Sequence, residues 1–172
     1  MILIALLAAG TARAAGLGDV PVSEYIRLHV VAEDDGEAAQ ALKLEVRDAC
    51  LAAARALLVG CGDADEAWRR VGENLGALEA AATQRARALG YGGAVCAETG
   101  VFEFPDRHYG GVFVPAGQYR ALRVVIGAGA GHNWWCVLYP SLCLSEGADT
   151  GEGIRFHSAL LDWLRGWMGG GR

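Results

Sequence analysis

The chain has 172 residues, of which 53% are hydrophobic, and its formal net charge at pH 7 is −5. This length and composition suffice for the core of one domain, and the interspersed charges exclude the basic surface of a nucleic-acid-binding protein. The four histidines and five cysteines form no C-x-x-C pair and no cluster at zinc-finger spacing. No metal site and no cofactor site is therefore predicted.

The first twenty residues resemble the end of a secretory signal. An apolar run over residues 2–9 is followed by small residues, with Ala12 and Ala14 at A-x-A spacing. No lysine or arginine precedes this run, which is far shorter than the roughly 20 apolar residues that span a bilayer. We expect residues 1–20 to be signal-like, with a buried N-terminal strand or helix as the alternative, and residues 21–146 to form a single domain.

The first predicted element of the domain is a strand over residues 25–31. Its residues alternate between an apolar face and a polar face that carries Arg27 and His29. This period of two is typical of a half-buried strand, so both polar side chains are expected to face solvent. An acidic turn follows over residues 32–36.

Three helices are predicted next. Apolar residues spaced by three and four predict the first over about residues 38–58. Asp63, with Glu66 three residues later, resembles a capping box at the start of the second. Asn74 can cap the third, and Gly90 can end it in a left-handed conformation.

Strands are predicted again over residues 94–104, 112–114 and 119–126, where apolar residues recur with a period of two. Strands this close in sequence are expected to pair antiparallel. The predicted fold is therefore α+β, with a mainly antiparallel sheet of about four strands, helices packed on one face, and the order β-α-α-α-β-β-β.

The C-terminal part begins with a glycine-rich linker over residues 147–153. Residues 154–172 are predicted to be an amphipathic helix and tail that places Trp163 and Trp167 on one side. Two tryptophans on so short a helix suit a membrane surface or a groove in another protein, and docking onto its own domain is the alternative.

The run from Gly131 to Cys143, G-H-N-W-W-C-V-L-Y-P-S-L-C, is too irregular for a helix and has the composition of a surface feature. Trp134 and Trp135 cannot both face one core from a strand, because side chains alternate across the pleat, so one ring is expected near the surface. Cys136 and Cys143 flank a proline and could close a small loop in an oxidising compartment. This pair is the disulfide candidate.

Several motifs in a fixed order identify a resemblance. They are I-R-L-H-V-V-A-E-D-D, A-L-K-L-E-V-R-D-A and, over residues 101–136, V-F-E-F-P-D-R-H-Y-G-G-V-F-V-P-A-G-Q-Y-R-A-L-R-V-V-I-G-A-G-A-G-H-N-W-W-C. Over roughly residues 25–144 the chain resembles the stage II sporulation protein R family of endospore-forming bacteria.

The resemblance implies an exported, non-enzymatic signalling protein that acts between forespore and mother cell. There it would trigger a membrane-embedded protease to process the sigma E precursor. We expect partner contacts from Trp134, Trp135 and Asn133, and from Arg107 and Tyr109 of the family's F-P-x-R-x-Y-G element, since arginine and tyrosine are enriched at binding hot spots. Alternatively, Arg107 pairs internally and Tyr109 covers the core.

The helix motif A-L-K-L-E-V-R-D carries a run of charged side chains, and two interpretations of them stay open. They could form an ordinary solvated face or a charged docking patch. Lys43 and Arg47 are four residues apart on one helix face, so they would repel slightly unless acidic residues intervene.

Two other functions remain possible from the sequence. In a secreted cysteine hydrolase, Cys136, His132, His108 and Asp106 would supply the nucleophile, the base and the orienting acid, although their spacing does not require it. In a cell-wall or peptide-binding module, the two tryptophans would hold the ligand. The glycines of residues 127–131 resemble a phosphate loop only superficially, because no helix follows them.

Overall fold

The computed structural model describes residues 20–109 and 112–140. The predicted signal-like segment, Cys143, the glycine-rich linker and the C-terminal helix lie outside the described residues. Within them, a 3₁₀ turn, Val22–Glu24, leads into the first strand. The helices and strands, in chain order, are β1 (Ile26–Val31), α1 (Glu37–Leu58), α2 (Ala64–Glu73), α3 (Leu75–Ala88), β2 (Val95–Phe104), β3 (Arg107–Tyr109), β4 (Val112–Val114), β5 (Gly117–Ile126) and β6 (Asn133–Tyr139).

The helix boundaries follow from local capping. The carboxylate of Asp63 accepts a hydrogen bond from the backbone N–H of Glu66 at 2.8 Å, which confirms the predicted cap of α2. Gly90 has a φ of 84° just after α3, the left-handed conformation that glycine adopts without steric cost. Asn74 does not cap α3 with its side chain: its amide donates instead to the carbonyl of Arg70 at 2.8 Å.

The main sheet has four strands in the order β2-β5-β1-β6 and is mixed rather than uniformly antiparallel. Strands β2 and β5 are antiparallel, as are β1 and β6, but the central pair, β1 and β5, is parallel. A parallel pair needs a long crossover connection, and here the three helices, β2 and the short strands β3 and β4 supply it. The predicted strand 112–114 lies outside this sheet, because β4 pairs with β3 in a separate hairpin.

The run containing the two tryptophans is also a strand, which the sequence analysis did not predict. Asn133–Tyr139 forms β6 beside β1, and the predicted order of three strands after the helices is corrected to five. Aromatic and β-branched residues are common in strands, so the composition of this run is compatible with that role.

The two faces of the sheet are covered by different layers. The helices pack on one face, with α1 over β1 and β6 and α3 over β2. The hairpin β3–β4 covers the other face around a second core. That core consists of Tyr25, Phe104, Tyr109, Val114, Tyr119, Ala121 and Val137. Because this layer exists, all six residues of β1 are buried.

The predicted solvated face of β1 is therefore wrong. Arg27 has no solvent exposure and His29 is 7% exposed. Both side chains point toward the hairpin layer, which comes from residues far along the chain. Alternation in the sequence correctly assigned the two polar residues to one face, but it could not show that this face has a cover.

Candidate functional site

The most unusual group in the described structure is a buried arginine surrounded by aromatic rings. The guanidinium carbon of Arg27 lies 4.2 Å from the ring centre of Phe104, 5.0 Å from that of Tyr119 and 5.7 Å from that of Tyr109. Its Nη2 donates to the Tyr109 hydroxyl at 2.6 Å, and its Nε donates to the Cys136 carbonyl at 3.5 Å. No carboxylate pairs with it within the described residues. Ring faces and neutral oxygens therefore take the place of a salt-bridge partner.

The electrostatics of this cluster follow from burial. Burial lowers the pKa of Arg27, and the contact with Tyr109 opposes that shift. Burial likewise raises the pKa of Tyr109, and the nearby guanidinium opposes it. Arginine remains a cation at neutral pH in proteins, so Arg27 is a fixed positive charge whose hydrogen bond holds β3 onto β1.

This arrangement decides between the two interpretations of Tyr109. Its side chain is 2% exposed and belongs to the second core, so its position supports the alternative in which it covers the core. Arg107 is exposed and donates to the backbone carbonyl of Asp106 at 3.2 Å. No carboxylate pairs with Arg107 among the described residues, and its head group remains accessible to a partner.

The second tryptophan of the run stacks on a buried histidine. The rings of Trp135 and His29 are 4.0 Å apart between centres and inclined by 20°, and Phe104 meets the same indole edge-on at 4.8 Å. The pKa of His29 is lowered to about 4, chiefly because burial penalises the charged ring. The neighbouring Asn133 side chain acts in the opposite direction, while Arg123 lowers the pKa further. His29 is thus neutral at pH 7.

The first tryptophan lies on the opposite face of β6, against the helix layer. The guanidinium carbon of Arg47 lies 4.2 Å from the Trp134 ring centre, and Nε of Arg47 donates to Asp48 at 2.8 Å. Both indoles are half-buried, each packed against a different core. The alternation argument correctly excluded one shared core, but the two rings do not form one continuous aromatic patch.

A hydrogen-bonded cluster joins α1 to the acidic turn and to the start of β6. Lys43 Nζ donates to Gln40 at 2.6 Å and to the His132 carbonyl at 3.1 Å. The backbone N–H of His132 donates to Asp35 at 2.6 Å, and the imidazole Nδ1 contacts the same carboxylate oxygen. These contacts from His132 lower the pKa of Asp35. Lys43 and Arg47 are only 6% and 3% exposed, so the two motif cations pack β6 against α1, whereas the motif acids Glu45 and Asp48 lie at the surface.

The hydrolase constellation is not assembled in the described structure. Cys136 is disulfide-bonded, whereas Cys50, Cys61 and Cys96 are free. The Cys136 side chain lies in the helix-side core, and His108 is exposed on the hairpin across the sheet. The predicted disulfide partner of Cys136, Cys143, lies outside the described residues. The pairing of these two cysteines therefore stays a prediction.

The part of the chain that the structure describes contains no group of three or more His, Cys, Asp or Glu side chains that could hold a metal ion. Within residues 20–109 and 112–140, no helix combines the length and the apolar character needed to cross a bilayer.

The motif residues therefore divide into interior and surface groups. Arg27, His29 and Tyr109 are interior. The burial of Arg27 and His29 was not predicted, because in the sequence only the I-R-L-H motif distinguishes them from ordinary solvated residues. Asn133 and Arg107 are exposed. Together with the exposed part of Trp135 they lie on the hairpin side of the sheet, and we call these three residues the hairpin-side surface.

Comparison with known proteins agrees with the motifs. The family model described as Stage II sporulation protein R matches residues 22–149. The Stage II sporulation protein R of Bacillus subtilis (strain 168) is 31% identical over 132 residues, which make up 77% of this chain and 58% of that protein. The chain thus spans somewhat more than half the length of this curated relative. No solved structure matches the chain. Because the family model matches most of the chain, including every element described above, the chain belongs to the stage II sporulation protein R family.

Proposed function

We propose that this protein is an exported sporulation signal. It acts in the space between forespore and mother cell, where it activates a membrane-embedded protease that processes the sigma E precursor. The family match over residues 22–149 carries this proposal. The chain itself supplies no catalytic group in this account and works by binding.

The disulfide at Cys136 supports export. Disulfides persist in oxidising compartments outside the cytoplasm and are rare in cytosolic proteins. Cys136 is buried in the helix-side core, so this sulfur of the bond lies within the packed structure. The same bond supports a non-catalytic role, because a sulfur held in a disulfide offers no thiolate for attack.

Activation by binding requires a difference in affinity. A ligand shifts an equilibrium only by as much as it favours one state over the other, so the signal must bind the active arrangement of the protease more tightly than the inactive one. A rigid binding surface serves this purpose, because little conformational entropy is lost on contact. The Arg27 cluster and the His29–Trp135 stack provide such rigidity beneath the hairpin-side surface.

We assign the protease contact to the hairpin-side surface. Asn133 and Arg107 are exposed, and Trp135 adds the accessible part of an indole held in place by His29. Tryptophan and arginine dominate binding hot spots. Trp134 contributes indirectly, by packing β6 onto α1 through Arg47.

Conversion of the sigma E precursor in cells that co-express the protease and this protein tests the proposal. Asn133→Ala combined with Arg107→Ala should lower conversion about tenfold or more, since two hot-spot contacts together contribute at least about 1.4 kcal/mol. The matched control is Gln84→Ala with Arg87→Ala, which truncates the same kinds of side chain at exposed positions of α3. Equal conversion by both double variants would remove the hairpin-side surface from the mechanism.

Replacing both tryptophans with alanine is a less specific test. Trp134 and Trp135 pack against two different cores, so the double variant weakens the fold on both sides of β6. Loss of signalling would then not separate contact from stability. If no variant and no amount of the intact protein changes conversion, the protease is not its target and the proposed function fails.

A further inference from the structure

A groove of about 720 Å³ lies on the helix side, between the start of α1 and the residues that follow α3. Its volume falls in the range of about 300–1,000 Å³ that is common for ligand sites. Leu42, Leu89 and Tyr91 line it with apolar surface, and Leu89 is 48% exposed. Leu42 and Tyr91 are partly buried, so the apolar surface left in water comes mainly from Leu89 at the edge of the groove.

The charge of the groove is one-sided. No lysine or arginine lines it, and four of its twelve lining residues carry carboxylates: Glu33, Asp34, Glu37 and Glu45. Two of these have local explanations, because Glu37 lies in the first turn of α1, where the helix dipole favours acids, and Glu45 pairs with Arg85. The groove as a whole still joins apolar surface to negative charge. Its occupant should be apolar and basic.

We propose that residues 154–168 of this same chain occupy the groove. Their sequence, I-R-F-H-S-A-L-L-D-W-L-R-G-W-M, contains Arg155 and Arg165 against the single acid Asp162, and most of the rest is apolar. Both properties complement the groove. The segment would bury its tryptophans against Leu42 and Leu89 and place its arginines beside the carboxylates.

The chain between the two parts is long enough. The described residues end at Pro140, just beyond β6, and β6 measures about 23 Å at 3.3 Å per residue. Its other end is next to the groove, since Gly131 donates from its backbone N–H to the carbonyl of Ala32 at 3.0 Å. The stretch from residue 140 to 154 spans up to about 46 Å when extended. A tether of this length also gives an effective concentration near millimolar, so a weak contact is enough for occupancy.

Photocrosslinking in the full chain tests this assignment. With photoreactive p-benzoylphenylalanine in place of Leu89, illumination followed by digestion and mass spectrometry should yield a crosslink to residues 154–168 within one molecule. The control carries the same group at Val59, which is 71% exposed and lies just past the far end of α1, about 30 Å away by helix rise. This control should give no such crosslink.

Charge reversal makes the test specific. Arg155→Glu with Arg165→Glu should reduce the crosslink yield about fivefold, the loss expected from two exposed ion pairs. Adding Glu33→Arg and Glu37→Arg to that variant should restore the yield. Three results would overturn the assignment: a crosslink only to a second molecule, no crosslink to residues 154–168, or a crosslink yield that neither charge reversal changes. Membrane-surface contact through the same tryptophans would then be the better account.

Discussion

The hydrogen bond between Arg27 and Tyr109 should be a main support of the hairpin layer, and Tyr109→Phe tests it with the smallest possible change. The substitution keeps the ring in the second core and removes only the hydroxyl that accepts from Nη2 at 2.6 Å. What remains is a buried guanidinium that has lost its shortest hydrogen bond among the described residues.

The expected cost follows from the nature of the donor. Hydrogen bonds to charged groups contribute about 1.5–3 kcal/mol, against about 1 kcal/mol for neutral pairs, and a buried donor left without its acceptor also keeps its desolvation penalty. The cation–π contacts with Phe104 and Tyr119 persist in the variant and limit the loss. We therefore expect Tyr109→Phe to lower the free energy of unfolding by about 1.5–3 kcal/mol.

Urea denaturation of the disulfide-intact protein measures this loss through the shift in midpoint at constant slope. The matched control is Tyr139→Phe, because the Tyr139 hydroxyl is buried without a hydrogen-bond partner in the described structure. Removing that hydroxyl should leave stability unchanged or raise it by less than about 1 kcal/mol.

A double-mutant cycle with Arg27→Met isolates the pair. In the Arg27→Met background the cation is absent, so Tyr109→Phe should cost less than about 0.5 kcal/mol. Arg27→Met removes the buried charge together with its hydrogen bonds and ring contacts, so only the difference between the two Tyr109→Phe costs measures the pair. Equal costs for Tyr109→Phe in both backgrounds, or equal effects at Tyr109 and Tyr139, would refute the reasoning.

Three further outcomes are expected. Because the folded-state pKa of His29 is about 4 and the unfolded value is near 6.5, the unfolded chain takes up a proton first as the pH falls. The free energy of unfolding should thus drop by about 2–3 kcal/mol between pH 6.5 and 4. His29→Phe should flatten that part of the plot of urea midpoint against pH. An unchanged plot in this variant would contradict the buried, neutral state of His29. Asp63→Ala should cost about 1 kcal/mol in the same assay, because it removes the cap of α2, and no loss would show that the cap is dispensable. Gly131→Ala should lower the free energy of unfolding by more than about 2 kcal/mol, because the added Cβ would lie 2.1 Å from a backbone oxygen. Gly72→Ala is the control: its Cβ would have nothing within 4 Å, and the substitution should raise the melting temperature. Similar effects at both glycines would show that the backbone near Gly131 can move away.

Local signals in the sequence predicted most of the helices and strands. The apolar spacing of α1, the Asp63 cap and the Gly90 stop depend on neighbours within a few residues, and the structure confirms each of them. The main sheet has four strands, but β6 stands where the predicted strand 112–114 was expected to contribute. The parallel pairing of β1 with β5 is not a local property. It depends on where a crossover of three helices returns the chain, and no short pattern in the sequence encodes that position.

The burial of residues on the hairpin side could not be predicted from the sequence, for the same reason. Arg27 and Tyr109 are 82 residues apart in sequence, so nothing near Arg27 indicates that aromatic rings will enclose it. The alternating pattern of β1 normally means that its polar side faces water, and only the second layer reverses that expectation. Of the predicted contact residues, Asn133 and Arg107 are exposed and Tyr109 belongs to the core, and their binding to a partner stays a prediction.

The parallel placement of β1 between β5 and β6 has a consequence for how this polypeptide matures. Among the described strands, the first to emerge from the ribosome lies between the two that emerge last, and pairings between such distant segments form slowly. Until Tyr119 has been synthesised, the aromatic enclosure of Arg27 is incomplete, and until β6 is available, β1 lacks its second neighbour in the sheet. The main sheet is therefore complete only after nearly all of the described residues have been synthesised.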